Sequence, residues 1–120
     1  MNDYVKQKVA ATWGRGVDRR KHPRHTYVER IIIHIKDGTW TAAMSFEIST
    51  GGMSIATAKE FAVGQRVELW PVVGNKVEAI IRRKSGAMYG LEFADLTPEI
   101  KGEIQKLCET LTPFRSMAEV

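Results

Sequence analysis

The chain has 120 residues, of which 43% are apolar and 27% are charged. This length and composition are typical of one globular domain, since domains commonly contain ~100–150 residues. The single cysteine, Cys108, excludes an internal disulfide and favours a reducing compartment. No apolar run approaches the ~20 residues that cross a bilayer, and the first residues lack the layout of a secretory signal. We therefore expect a soluble cytoplasmic domain.

The positive charge is concentrated at the amino terminus. The formal net charge is +4, but residues 1–25 contain seven basic and two acidic residues and so balance to +5. The remaining 95 residues balance to −1. A segment with this charge attracts anions, although a solvated basic tail has the same composition.

Residues 1–17 show weak signals of order. A short apolar repeat at helical spacing ends at Trp13, and Gly14 and Gly16 then break it. We expect a flexible arm ahead of a folded domain that spans residues 18–112.

From Tyr27 onward the apolar pattern has the two-residue period of β-strands. Tight turns are predicted at Asp37-Gly38, Gly74-Asn75 and Ser85-Gly86. Six short strands at roughly ten-residue spacing predict an all-β barrel or sandwich over about residues 26–94. These strands are expected near residues 27–35, 40–48, 53–57, 67–70, 77–82 and 88–93.

The last element has a helical pattern. Thr97 is a favourable N-cap and Pro98 suits the first helical position. One apolar stripe follows at Ile100, Ile104, Leu107, Cys108 and Leu111. We expect a helix over about residues 97–111 that packs on one end of the barrel, followed by a tail at residues 113–120.

Metal binding and catalysis find little support in the sequence. His22, His25, His34 and Cys108 are scattered, whereas metal ligands usually occur in closely spaced pairs. Cys108 lies on the apolar stripe and is predicted to be a small buried hydrophobe. No carboxylate sits in an apolar motif that would tune it for acid–base chemistry. We expect neither a metal site nor an enzyme.

Two short segments carry the candidate binding chemistry. In the first, Arg20 and Arg24 are separated by three residues, and Arg19 precedes them. The planar arginine fork binds phosphates bidentately and stacks on bases. Because Pro23 disfavours helical geometry at the residue before it, the segment is predicted to be extended and able to reach around a ligand. Two arginines alone bind weakly, so the site needs a second half.

The second segment, Glu47 to Gly52, lies where one predicted strand ends and the next begins. Glu47 and Ser49 are two positions apart, which places their side chains on the same face of a strand. Gly51 and Gly52 permit unusual dihedrals and the close approach of a ligand to main-chain N–H groups. The alternative interpretation is an ordinary glycine turn between strands.

Together the two segments resemble the signature of the PilZ family of bacterial cyclic di-GMP receptors, an Arg-x-x-x-Arg pair followed by [Asp/Asn]-x-Ser-x-x-Gly. The resemblance extends from residue 18 to about 111 and includes residues 89–93 in the last predicted strand. It implies a six-stranded antiparallel β-barrel with a C-terminal helix. It also implies cyclic di-GMP as the ligand, with no cofactor.

The resemblance also implies residue roles. Arg20 and Arg24 would clamp the ligand, and Glu47 would accept hydrogen bonds from a guanine edge. Ser49 would be a polar contact and Gly52 a point of close backbone approach, with Arg19 and Gly51 as secondary candidates. Arg82 and Arg83 either offer a further stacking surface or form an ordinary exposed pair. Glu47 departs from the family pattern, because its extra methylene moves the carboxylate by ~1.5 Å relative to aspartate.

The implied function is a receptor that changes conformation on binding and signals to a partner protein. Such a partner would belong to flagellar, pilus or polysaccharide machinery, and the process controlled would be motility, exopolysaccharide production or biofilm formation. The alternative is a PilZ-like interaction module that does not bind nucleotide. Nucleic-acid binding is disfavoured, because aromatics make up 8% of the chain and no row of exposed aromatics is evident in the strands.

Overall fold

The computed structural model describes residues 23–112. The predicted arm, Arg19, Arg20, His22 and the predicted tail lie outside these residues. The described chain forms seven strands and one helix: β1 (His25–Thr26), β2 (Arg30–His34), β3 (Trp40–Ile48), β4 (Gly52–Ala56), β5 (Arg66–Val72), β6 (Asn75–Ser85), β7 (Met88–Ala94) and α1 (Pro98–Thr110).

Six of these strands close into an antiparallel barrel. Their order is β3-β2-β5-β6-β7-β4, and pairing between β4 and β3 completes the circle. The short strand β1 pairs with the last residues of β3. The predicted six-stranded barrel with a C-terminal helix is therefore confirmed, whereas β1 was not predicted because two residues show no periodicity.

The core fills the barrel and extends under α1. Alternate residues of each strand point inward, as the two-residue period requires. Burial of each large aliphatic side chain contributes about 1.5–3 kcal/mol. The core residues that are 0% exposed are Ile31, Ile33, Ile48, Ile55, Leu69, Val72, Ala79, Ile81 and Ile104.

The helix begins as predicted. The Thr97 hydroxyl accepts a hydrogen bond from the Ile100 N–H at 3.2 Å, and Pro98 occupies the first turn. Glu103 accepts from the Asn75 side-chain amide at 3.2 Å, which ties α1 to the β5–β6 hairpin. Beyond the helix, the Thr112 carbonyl accepts from the Thr26 N–H at 2.8 Å. The end of α1 is thus attached to β1.

The three predicted turns differ in how well they match the structure. The last lies at Gly86-Ala87 and not at Ser85-Gly86, because Ser85 belongs to the ladder and pairs with Met88. Gly38 has a φ of 90°, and the Asp37 carboxylate accepts from the Thr39 N–H at 2.8 Å, as expected for the first hairpin. The next hairpin turns at Val73-Gly74, with φ values of 49° and 76°, and not at Gly74-Asn75. The prediction was wrong by one residue because Asn75 belongs to the ladder, where it pairs with Val72.

Within residues 23–112, no helix is long and apolar enough to span a membrane.

Candidate functional site

A β-bulge determines the direction of the Glu47 side chain. In the ladder with β4, Ser45 pairs with Ile55, but Glu47 already pairs with Ser54. The extra residue in β3 shifts the alternation, so Glu47 and Ser54 lie on the outer side of the barrel wall while Ile55 points into the core. Both polar side chains are nevertheless buried, with Glu47 1% and Ser54 2% exposed.

The two carboxylate oxygens of Glu47 have different surroundings. Oε1 accepts from the Arg24 guanidinium at 2.5 Å and from the Ser54 hydroxyl at 2.8 Å. Oε2 is buried and has no hydrogen-bond partner among the described residues. A buried carboxylate oxygen without a donor is costly. Among residues 23–112, Oε2 is therefore an acceptor without a donor, and it is closed off from the surface.

Strand β1 brings Arg24 to this carboxylate. Thr26 pairs directly with Glu47, and His25 pairs with Ile48. Arg24 immediately precedes this strand, and its side chain is 21% exposed. The structure thus joins the two segments that the sequence singled out, at Arg24 and Glu47.

Ser49 has a different position from the one expected. It lies beyond the end of β3, so the alternation of strand side chains does not apply to it. Its hydroxyl oxygen accepts from the N–H groups of Gly51 at 3.1 Å and Gly52 at 3.2 Å. Its own N–H donates to the Gly52 carbonyl at 2.8 Å. Ser49 therefore holds the β3–β4 turn closed.

Gly52 makes a close approach to a neighbouring strand. A Cβ atom at this position would lie 2.0 Å from the Leu91 carbonyl oxygen of β7. The Gly51 carbonyl accepts from the Phe93 N–H of the same strand at 2.9 Å. Neither glycine has a positive φ. Contact between β4 and β7 is enough to explain the requirement for glycine at position 52.

A row across the outer wall continues the site beyond Glu47. Ser54 pairs with Gly90 of β7, which in turn pairs with Arg83 of β6. Arg82, which precedes Arg83 in β6, donates two hydrogen bonds to Glu92 Oε1, from Nε at 3.0 Å and from Nη2 at 2.8 Å. Sequence reasoning missed Ser54, because nothing in the sequence marks the bulge that brings it beside Glu47.

A cleft of about 210 Å³ adjoins this site, between the start of β1, the β3–β4 turn and α1. His25 contributes to its lining, and its Nδ1 is buried with no partner among residues 23–112. Cys108 also lines the cleft, and burial raises the pKa of its thiol. In the part of the chain that the structure describes, no His, Cys, Asp and Glu side chains are grouped to hold a metal ion.

Comparison with known proteins assigns the chain to a family. A sequence profile of the PilZ domain matches residues 18–110. The chain belongs to the PilZ domain family. The match includes both candidate segments, and it begins ahead of Arg19 and Arg20. A search of curated proteins finds no match to this PilZ sequence.

Solved PilZ structures have the same fold. The PilZ domain of YcgR from Escherichia coli, solved with c-di-GMP, is 15% identical with a TM-score of 0.63, covering 78% of this chain and 91% of that chain. The inhibitor of motility MotI/DgrA from Bacillus subtilis is 24% identical with a TM-score of 0.59, covering 76% of this chain and 49% of that one. The PilZ domain of CeSA from a cellulose-synthesizing bacterium is 14% identical with a TM-score of 0.57, covering 72% and 94%. The chain spans about half the length of MotI/DgrA.

Proposed function

We propose that this PilZ domain is a receptor for cyclic di-GMP. The observation that carries the proposal is the meeting of Arg24 and Glu47, 23 positions apart in the chain and 2.5 Å apart at their polar atoms. An anion-binding group and a guanine acceptor thereby occupy one place on the barrel wall.

The ligand chemistry matches what the site offers. Guanine presents N–H donors on its edge, and the buried Oε2 of Glu47 is an acceptor that no described residue uses. Cyclic di-GMP also carries two phosphodiester groups, for which arginine forks are the natural partners. We assign Arg24 and Arg20 to the phosphates and the guanine faces, with Arg19 as a further contact.

The longer side chain of Glu47 is compatible with this role. Its Oε1 already reaches Arg24 and Ser54, so the carboxylate is held by two donors before any ligand arrives. A fixed acceptor binds a guanine edge without the entropic cost of ordering a free side chain. We infer that Glu47 replaces the shorter acid of the family pattern through this support.

Arg24 is connected through β1 to the end of α1. Arg24 is adjacent to β1, and Thr26 of β1 bonds to Thr112 beyond the end of α1. We propose that the ligand orders residues 18–22 against the barrel and thereby changes the surface offered to a partner protein. Motility, exopolysaccharide production and biofilm formation are the proposed outputs, in a cytoplasmic setting. The structural neighbours include an inhibitor of motility and a protein from a cellulose-synthesizing bacterium. In this proposal residues 1–17 are an arm and residues 113–120 a tail.

Titration calorimetry with cyclic di-GMP tests the proposal. Arg20→Ala and Arg24→Ala should each weaken binding by about 10–100-fold, since a charge-assisted hydrogen bond contributes ~1.5–3 kcal/mol. Arg66→Ala is the matched control, because Arg66 is half-exposed and pairs with Glu78 and Asp95 elsewhere on the barrel. Equal affinities for all four proteins would contradict the assigned site. Absence of heat from the unmodified chain would favour the interaction module that binds no nucleotide.

A further inference from the structure

The outer wall of the barrel has an apolar face formed by β2, β3 and β5. Ile32 of β2 pairs with Ala42 of β3 and with Trp70 of β5, so the three side chains form a row. On β3, Trp40 and Met44 flank Ala42 on the same side of the strand. Trp40 is 62%, Met44 45% and Trp70 42% exposed. We call these five residues the tryptophan face.

The size of this face distinguishes it from ordinary surface composition. The exposed fractions of Trp40 and Trp70 add up to about one whole tryptophan side chain. This corresponds to roughly 150–250 Å² of surface in contact with water. Single exposed apolar residues are common, but a contiguous apolar patch marks a contact surface. No row of exposed aromatics was evident in the predicted strands, but the structure has two exposed tryptophans, Trp40 and Trp70, on one face of the barrel.

Opposite charges border the tryptophan face at its two ends. Arg30 lies beside Met44, two residues along β2 from Ile32. His34 lies beside Trp40, two residues from Ile32 in the other direction. Glu68 of β5 pairs with His34. Arg30 therefore borders one end of the face, and Glu68 borders the other, near the Arg66–Glu78 ion pair.

This arrangement is complementary to itself. The relevant twofold axis is parallel to the sheet surface and perpendicular to the strands, and it passes above Ile32. It places a second copy face to face with the first, with the strand direction reversed. It places Arg30 above the second copy's His34, next to the second copy's Glu68. It also places Trp40 above the second copy's Met44, and sulfur–aromatic contacts of this kind are favourable. Ile32, Ala42 and Trp70 meet their own equivalents at the centre.

We propose that the tryptophan face joins two copies of this chain in a twofold dimer. Two sheets pack well when their strands are nearly aligned, within ~30°, and this symmetry produces that alignment. The apolar centre and the charged border match the anatomy of a protein interface. The dimer does not depend on cyclic di-GMP or on the Arg24–Glu47 pair.

The charges favour a protein over a nucleic acid as the occupant. Exposed tryptophans also stack on unpaired bases, but a nucleic-acid site needs basic residues along its length. Glu68 borders the tryptophan face and pairs with Glu78 of β6. The Glu68 carboxylate repels phosphates and is suited to Arg30 of a second copy, whereas Glu78 is paired with Arg66 at 3.6 Å.

Sedimentation equilibrium of the full chain without ligand tests the dimer. The expected mass at micromolar concentration is twice the 13.5 kDa of one chain. Arg30→Glu and Glu68→Arg should each raise the dissociation constant by at least about tenfold, because each places like charges together twice per dimer. The double variant should return to within about threefold of the unmodified chain, because the pair is restored with its signs exchanged.

Two further variants complete the design. Trp70→Ala removes a contact on the axis and should weaken the dimer by at least about tenfold. Lys101→Glu reverses an exposed charge on α1 and should leave the mass unchanged. Circular dichroism should show folded protein throughout, because the altered side chains lie outside the core. A monomer at ~200 μM overturns the proposal, as does a dimer insensitive to Trp70→Ala or a double variant no better than its single parents. Salt-dependent binding of single-stranded DNA by a monomeric chain would assign the face to nucleic acid instead.

Discussion

Arg24 Nη1 lies 2.5 Å from Glu47 Oε1, and the carboxylate that it contacts is 1% exposed. A carboxylate at this depth is stable only with a nearby positive charge or several donors. Ser54 supplies the second donor. The pair therefore links the stability of the barrel to the residue that we assign to the ligand.

Removing the arginine should destabilise the fold. Arg24→Ala leaves the Glu47 carboxylate buried with only the Ser54 hydroxyl, and we expect a loss of about 2–4 kcal/mol in the free energy of unfolding. The value lies below that of a fully buried pair, because the Arg24 side chain is 21% exposed. Urea unfolding measures it, with Arg66→Ala as a control that changes stability by under ~0.5 kcal/mol. Equal midpoints for the two variants would contradict the account. Adding Glu47→Gln to Arg24→Ala should restore part of the loss.

The Ser54 hydroxyl should contribute a smaller amount. Ser54→Ala removes one of the two donors to Glu47 Oε1, and we expect a loss of about 1–2 kcal/mol. Ser85→Ala, at the end of β6, is the matched control. Chemical denaturation of both variants provides the comparison. A Ser54 variant as stable as the Ser85 variant would mean that Arg24 alone holds the carboxylate.

Two glycine substitutions should have opposite signs. Gly52→Ala places a Cβ atom 2.0 Å from the Leu91 carbonyl oxygen, so β4 and β7 must separate. We expect a loss of at least about 2–3 kcal/mol. Gly102→Ala lies in α1 with no atom within 4 Å of the new carbon. It should stabilise the chain by about 0.5–1 kcal/mol, because alanine is the better helix former. Thermal unfolding distinguishes the two directions, and a tolerated Gly52→Ala would show that the strands have room.

Cys108 should make the fold sensitive to alkaline pH. Burial raises the pKa of its thiol, so the folded chain keeps a proton that the unfolded chain loses above about pH 8.5. The stabilisation is complete below that pH and is lost as the pH rises through the folded pKa. Stability should therefore fall more steeply from about pH 8 to 10 in the unmodified chain than in Cys108→Ala. If the free energy of unfolding fell equally with pH in the two proteins, this expectation would be contradicted.

Much of the fold followed from local patterns in the sequence. The two-residue alternation located the six barrel strands, and Thr97-Pro98 marked the start of α1, because these signals depend on neighbouring residues alone. The strand β1 has too few residues for a period. The β5–β6 turn contains Val73 at a φ of 49°, which a β-branched residue rarely adopts, so its position could not be predicted from turn preferences.

The candidate site was predictable only in part. The sequence indicated Arg24 and Glu47 as members of one site, and the structure places them in contact. The roles of Ser49 and Gly52 within the fold could not be foreseen, because the turn geometry and the approach of Leu91 arise from strand pairing. The bulge that adds Ser54 has the same origin. Arg19 and Arg20 lie outside the described residues, and their roles stay predictions.

The binding isotherm of the unmodified chain with cyclic di-GMP tests the central claim most directly. We expect saturable heat with a dissociation constant of about 10 μM or tighter. GMP should bind at least about a hundredfold more weakly. It presents one guanine and one phosphate, whereas cyclic di-GMP presents two of each in one molecule. Absence of saturable heat with cyclic di-GMP at ~100 μM, from a chain that is folded by circular dichroism, would contradict the receptor function.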